Sequence, residues 1–162
     1  MLCLLNKQIE QFFDHRRKIV HESRVALRDD LLNHMQMFTN AFMKQYRKKE
    51  WRKQFLEKLD YVCYHSHYIP SHLNGEYCTK LERDVLEYVD KNCKGIFWDF
   101  IDDPLFVTME EATVLSQLYY PGLLGDAVFS IDPGRLAVVF SERNGTWLCK
   151  RDRSPRAVSV RK

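Results

Sequence analysis

The chain predicts an α+β fold: an N-terminal helical hairpin or arm, two to three shorter helices, and a C-terminal three-stranded antiparallel β-meander. Three observations carry this expectation. Residues 1–69 contain no glycine and no proline, whereas all six glycines and all five prolines fall between Pro70 and Lys162; average usage of about 12% for the pair puts roughly eight in such a stretch. Within it, apolar residues recur at helical spacing. Beyond Gly125 the pattern changes to short runs rich in Val, Ile, Phe and Trp, separated by hairpin-turn sequences. The expected division is a helical part, 1–69, and a mixed helical and β body, 70–162, packed together as one compact unit.

From Leu5 to Met43 the residues Leu5, Ile9, Phe12, Ile19, Leu27, Leu31, Met35, Phe38 and Phe42 fall on one stripe. Arg16 and Ser23 occupy stripe positions that call for apolar side chains, a defect that marks a bend or break near Arg28-Asp29-Asp30. A second run carries Trp51, Phe55, Leu59 and Val62 and ends before Pro70, because the residue ahead of proline disfavours helix. The two runs make either one long arm or an antiparallel hairpin turning near Gln45 to Glu50. The hairpin is preferred, since it buries the stripe.

Asn74-Gly75 reads as a turn. Cys78, Leu81, Val85, Tyr88 and Val89 predict a helix, with Gly95 as its left-handed C-terminal cap. A short aromatic segment, Ile96 to Ile101, closes at Asp102-Asp103-Pro104. Thr108 and Glu111 have capping-box spacing and open a short helix running to Tyr119 and Tyr120. The meander strands are Ala127 to Ile131, Arg135 to Ser141 and Thr146 to Lys150, joined through Asp132-Pro133-Gly134 and Arg143-Asn144-Gly145. Ala157 to Val160 is either a fourth strand or tail.

A composition of 45% hydrophobic and 13% aromatic residues supplies a core and argues against wholesale disorder. Five cysteines, an odd and sparse set, fit reduced thiols and a cytoplasmic placement better than a secreted disulfide scaffold. The apolar start, Met1 to Leu5, is too short for a signal peptide, and no run reaches the roughly 18 apolar residues of a membrane span. Net charge is only +3, but it is segregated. Lys44 to Lys53 carries six basic residues against one acidic, Arg143 to Lys162 seven against one, and Glu82 to Asp126 ten acidic against three basic. Such segregation favours an acidic partner or the docking of acidic and basic faces on each other.

Several constellations bear on chemistry. The basic run interleaves Lys44, Arg47, Lys48, Lys49, Arg52 and Lys53 with Tyr46 and Trp51, and the C-terminal stretch adds Arg151, Arg153, Arg156, Arg161 and Lys162. Cations neutralise phosphates and aromatic rings stack on unpaired bases, so Lys44, Tyr46, Arg47, Lys48, Lys49, Arg52, Lys53, Arg151, Arg153 and Arg156 form the nucleic-acid-binding set. The bland counterpart is a solvated helix junction with Trp51 turned into the core. Cys63, His65, His67, His72 and Cys78 crowd the junction between the two parts. Cys63, His67, His72 and Cys78 would make a tetrahedral zinc set, but their spacing matches no common structural zinc pattern, and the preferred reading has no metal and no cofactor. Asp99, Asp102, Asp103, Glu110 and Glu111 could hold a divalent cation, yet Asp102, Asp103, Glu110 and Glu111 also suit helix ends. Phosphate-binding glycine loops, dinucleotide fingerprints, nucleophile elbows and zinc-protease motifs are all missing, and His15, His21 and His34 have no catalytic spacing.

The stretch Pro121 to Phe140, continued by Gly145 to Arg151, resembles the sheet half of the RelE-type ribosome-dependent RNases. That resemblance covers a small part of the chain, and the long N-terminal arm departs from it. It implies metal-free RNA cleavage on a basic sheet, with Arg135, Arg143, Lys150 and Arg151 contacting phosphate and stabilising transition-state charge. Three functions follow as expectations. The first is a small intracellular nucleic-acid-associated regulatory protein that contacts the phosphate backbone of RNA or DNA through its basic patches. The second is an interaction or inhibitor module that engages a protein partner, or a second copy of itself, through the amphipathic N-terminal helices. The third is the RelE-like RNase. The balance favours binding over catalysis, and no membrane association is expected.

Overall fold

The computed structural model describes residues 2–44, 69–99, 103–117, 126–141 and 145–152. In chain order the elements are α1 (Leu2–Glu22), β1 (Arg24–Val25), α2 (Arg28–Phe42), β2 (Cys78–Lys80), β3 (Lys94–Trp98), β4 (Leu105–Thr108), α3 (Met109–Ser116), β5 (Ala127–Asp132), β6 (Leu136–Ser141) and β7 (Gly145–Lys150). Short 3-10 turns occupy Pro70–His72 and Val85–Glu87. The α+β class holds, but the sheet has seven strands, not three. All pairings are antiparallel, in the order β1-β4-β3-β5-β6-β7-β2.

The meander forms from local chemistry. Gly134 adopts φ 73°, a left-handed conformation that only glycine takes without strain, and Arg135 N donates to Asp132 O across the turn at 2.9 Å. Around this core the remaining strands correct three expectations. First, Gly95 is no helix cap; it lies inside β3. A Cβ there would sit 2.4 Å from the carbonyl oxygen of Ser130, so β3 reaches β5 only because residue 95 has no side chain. The approach falls beside the bulge of β5 between Ser130 and Asp132.

Second, the helix expected over Cys78 to Val89 is the edge strand β2 followed by a 3-10 turn capped by Asp84, whose side chain accepts from Leu86 N. Its apolar spacing reported burial, not helix: Cys78 joins the core on one face of the sheet, Val85 and Val89 the core on the other. Among the described residues, the two to three shorter α-helices reduce to α3 alone. Third, the aromatic segment beginning at Ile96 is a central strand. Gly95, Ile96, Phe97 and Trp98 are all buried, as expected where helices cover both faces.

The N-terminal stretch is two helices. α1 ends at Glu22, β1 pairs with β4 through Arg24 and Val25, and α2 starts at Arg28 with Asp29 and Asp30 in its first turn. Those carboxylates complement the positive end of the helix. The break therefore lies where the stripe defect put it, and an unbroken arm does not form. Trp51, Phe55, Leu59 and Val62, and the turn at Gln45 to Glu50, lie outside the described residues, as do the side chains of Leu5, Ile9 and Phe12, and Ala157 to Val160.

α2 covers one face of the sheet, burying Leu31, Met35, Phe38 and Phe42 against Ile96, Trp98, Val128 and Val139. Each such side chain contributes about 1.5–3 kcal/mol on leaving water. Phe38 meets Trp98 edge-on at 6.3 Å. On the opposite face, Ile19 of α1 and Met109, Ala112 and Leu115 of α3 pack on Phe97, Phe129 and Val138. The capping box forms as its spacing predicts: Thr108 Oγ1 accepts from Glu111 N, and Glu111 Oε1 accepts from Thr108 N at 3.0 Å. The helix ends at Ser116, and Tyr119 and Tyr120 lie outside the described residues.

Candidate nucleic-acid interface

One corner of the molecule is built where β7 ends, β2 and β6 begin, and α2 finishes. Met43 bridges Leu73, Asn74 N donates to Phe42 O at 2.7 Å, and Lys44 N donates to His72 O at 2.8 Å. These bonds hold the turn before β2 against the end of α2. Tyr77 then stands beside β7, its carbonyl accepting from Lys150 N.

Arg151 closes the corner. Its guanidinium lies 4.2 Å from the centre of the Tyr77 ring, and Nη1 donates to Ala41 O at 3.3 Å. The position is favourable twice over, since ring quadrupoles attract cations and the last carbonyls of a helix carry partial negative charge. Arg151 N donates to Arg135 O, and Arg135 Nη2 donates to Asp152 O at 2.9 Å. Half of the Arg135 side chain remains exposed, with Asp132 3.8 Å away. Lys150, opposite Leu136, is exposed. Lys44 Nζ donates to Ser71 O at 2.9 Å.

The structure thus sets Arg135 beside Arg151 on the α2 face of the sheet, while Lys150, the last residue of β7, alternates to the opposite face; Lys44 lies three residues after Ala41, which Arg151 bonds. Tyr46, Arg47, Lys48, Lys49, Arg52, Lys53, Arg143, Arg153 and Arg156 lie outside the described residues. Of the zinc set, His72 is half-buried on its 3-10 turn, and Cys78 is buried with Sγ donating to Phe42 O at 3.7 Å; Cys63 and His67 lie outside. Among the described residues, no three His, Cys, Asp or Glu side chains are grouped to hold a metal.

The acidic group divides. Asp99 is buried and pairs with Arg16 at 3.2 Å, Glu110 and Glu111 occupy the first turn of α3, Asp103 is exposed, and Asp102 lies outside. Arg16 also donates to Leu115 O, so this side chain ties α1 to both β3 and α3. Its place on an apolar stripe was the available signal. Sequence reasoning missed two other polar ties, one buried and one partly so. Asp126 accepts from Ile69 N at 2.8 Å, and His34 Nδ1 lies 2.7 Å from Ser130 Oγ. Burial holds the His34 imidazole below its ordinary pKa of 6.5, with Asp30 and Asp132 pulling the other way.

Comparison of the chain with protein-family models, with curated proteins and with solved structures gave no match. No helix of the described residues is long and apolar enough to cross a membrane.

Proposed function

We propose that this chain is a nucleic-acid-associated regulatory protein that grips the phosphate backbone of RNA or DNA at the corner formed by Lys44, Arg135, Lys150 and Arg151. One observation carries the reading. Lys44 and Arg151, one from each basic segment, are separated by most of the sequence, yet both are anchored around the end of α2. Arg151, which opens the basic C-terminal stretch, hydrogen-bonds Ala41, three residues before Lys44 opens the run to Lys53. Cations distant in sequence that share one region of the surface raise local phosphate affinity without a large net charge. A cytoplasmic placement accompanies this reading and rests on the sparse, odd cysteine content.

The test is fluorescence anisotropy with single-stranded RNA and DNA oligonucleotides across a salt series. Phosphate contacts release counterions, so the logarithm of the affinity must fall steeply and linearly with the logarithm of salt. Affinity unchanged between low and moderate salt rejects the proposal. The juxtaposition of Arg135 and Arg151 also supports the RelE-like reading as the second choice. Following RNA integrity with and without ribosomes and divalent metal decides between binding and cleavage. The interaction-module reading has less to use: α2 spends its apolar face on the sheet, leaving Leu4, Val25 and Leu27 among the exposed apolar side chains.

A further inference from the structure

Cys78 on edge strand β2 and Cys149 on β7 face each other as direct register partners. Lys150 N donates to Tyr77 O, the residues flanking that pair, so Cys78 and Cys149 form a non-hydrogen-bonded pair of the antiparallel ladder. Such pairs bring Cα atoms to about 4.5 Å, inside the range of about 4.4–6.8 Å that a disulfide spans. Both side chains point into the core on the α2 face.

We infer that Cys78 and Cys149 are a redox-responsive pair whose reversible disulfide staples edge strand β2 to the sheet. The inference does not depend on the nucleic-acid reading. Three features make the bond conditional. Cys78 and Cys149 are 3% and 0% exposed, so no oxidant reaches their thiols while the sheet is closed. Burial also pushes the Cys149 thiol up, as does the neighbouring Cys78, which keeps it protonated and unreactive. But β2 is a three-residue strand at the edge, and short edge strands open locally at far less cost than the whole fold. Opening releases the Cys78 thiol to solvent.

With a low-molecular-weight disulfide such as oxidised glutathione as oxidant, the steps balance. The Cys78 thiolate attacks one glutathione sulfur, the glutathione S–S bond breaks, and one glutathione leaves as a thiolate that takes up a proton. While β2 is still open and Cys149 is hydrated, its thiol gives up its proton to water, and the thiolate attacks Cys78 Sγ, breaks the mixed S–S bond and expels the second glutathione as a thiolate that is protonated in turn. The protein loses two thiol hydrogens and is oxidised; oxidised glutathione is reduced to two thiols. An excess of reduced glutathione runs the same two exchanges backward when β2 opens and exposes the disulfide. Oxidation also fixes Tyr77, the residue beneath Arg151, by locking its neighbour in place.

The test uses the full chain carrying Cys3→Ser, Cys63→Ser and Cys93→Ser, which retains this pair as the only cysteines. Oxidised glutathione is added, and intact mass with peptide mapping is read. The expected product is lighter by two hydrogen masses, links Cys78 to Cys149, and reverts with reduced glutathione. Adding Cys149→Ser should arrest the reaction with one glutathione on Cys78. Amide exchange at Thr79 and Leu81 should slow at least about tenfold in the oxidised form, since strand opening is then blocked. Failure of the linkage at every glutathione ratio overturns the inference, including after refolding under oxidation. So does a linkage that forms only with loss of the native circular-dichroism spectrum.

Discussion

Arg16 and Asp99 show why a charge can occupy an apolar stripe. Their side chains are 11% and 5% exposed, and neither has water to fall back on if the other is removed. Asp99→Asn or Arg16→Met should each lower stability by about 3 kcal/mol in urea unfolding, because a buried charge then loses its opposite charge. The double variant should lose clearly less than the two single losses combined; strict additivity would show that the pair is not coupled. Gly95→Ala should cost about 2–3 kcal/mol, since the clash is with the Ser130 backbone and no side chain can rotate away. At His34 the sign follows from burial. The folded state holds the imidazole below its ordinary 6.5, so as pH falls the unfolded chain takes up the proton first. Stability from neutral His34 is present above that value and declines as pH drops through the folded-state value. Unfolding free energy measured between about pH 7 and pH 5 should slope downward toward acid, and His34→Gln should remove that part of the slope. An unchanged slope would place the pH dependence elsewhere.

Elements differ in how far their own residues decide them. α3 announces itself, because Thr108 and Glu111 satisfy two helix-end donors within four residues and need no distant partner. Thr108→Ala should cost about 1 kcal/mol, read from the denaturation midpoint; a loss near zero would mean the cap is replaced by solvent. The meander is legible for the same reason, as its turns and its β-rich runs are contiguous. β2 was misread because Cys78, Leu81, Val85 and Val89 are spaced for a helix, while β7 offers that segment a ladder only after the chain has returned. β3 was hidden differently. A strand buried on both faces has no alternation to detect, and Gly95 imitates a helix cap until its approach to Ser130 is seen.

For the molecule as a whole, charge location outweighs charge sum. A net +3 is too small to argue for polyanion binding, so the proposal rests on the arginines and lysines gathered around the end of α2 rather than on the sum of charge. Arg135→Glu with Lys150→Glu reverses two exposed cations that bury little apolar surface. It should weaken single-stranded nucleic-acid binding at least about tenfold at low salt and reduce the salt slope by about 1.4, roughly 0.7 per phosphate contact. The melting temperature should stay within a few degrees. Loss of binding together with loss of the fold would instead assign the two residues to stability. Arg151 is the poorer test residue, because it also holds Tyr77 and the end of α2.

By itself the sequence determined the class of fold, the break after α1, the capped helix α3, the meander and the uneven charge. Each rests on residues within a turn or two of one another, whose preferences act before the chain is folded. Only the tertiary structure decided the four additional strands, the burial of Arg16 with Asp99, the facing of Cys78 and Cys149, and the bond from Arg151 to Ala41 at the end of α2. Those depend on segments far apart in sequence, and their register and approach are chosen by packing across the sheet, which no local pattern encodes.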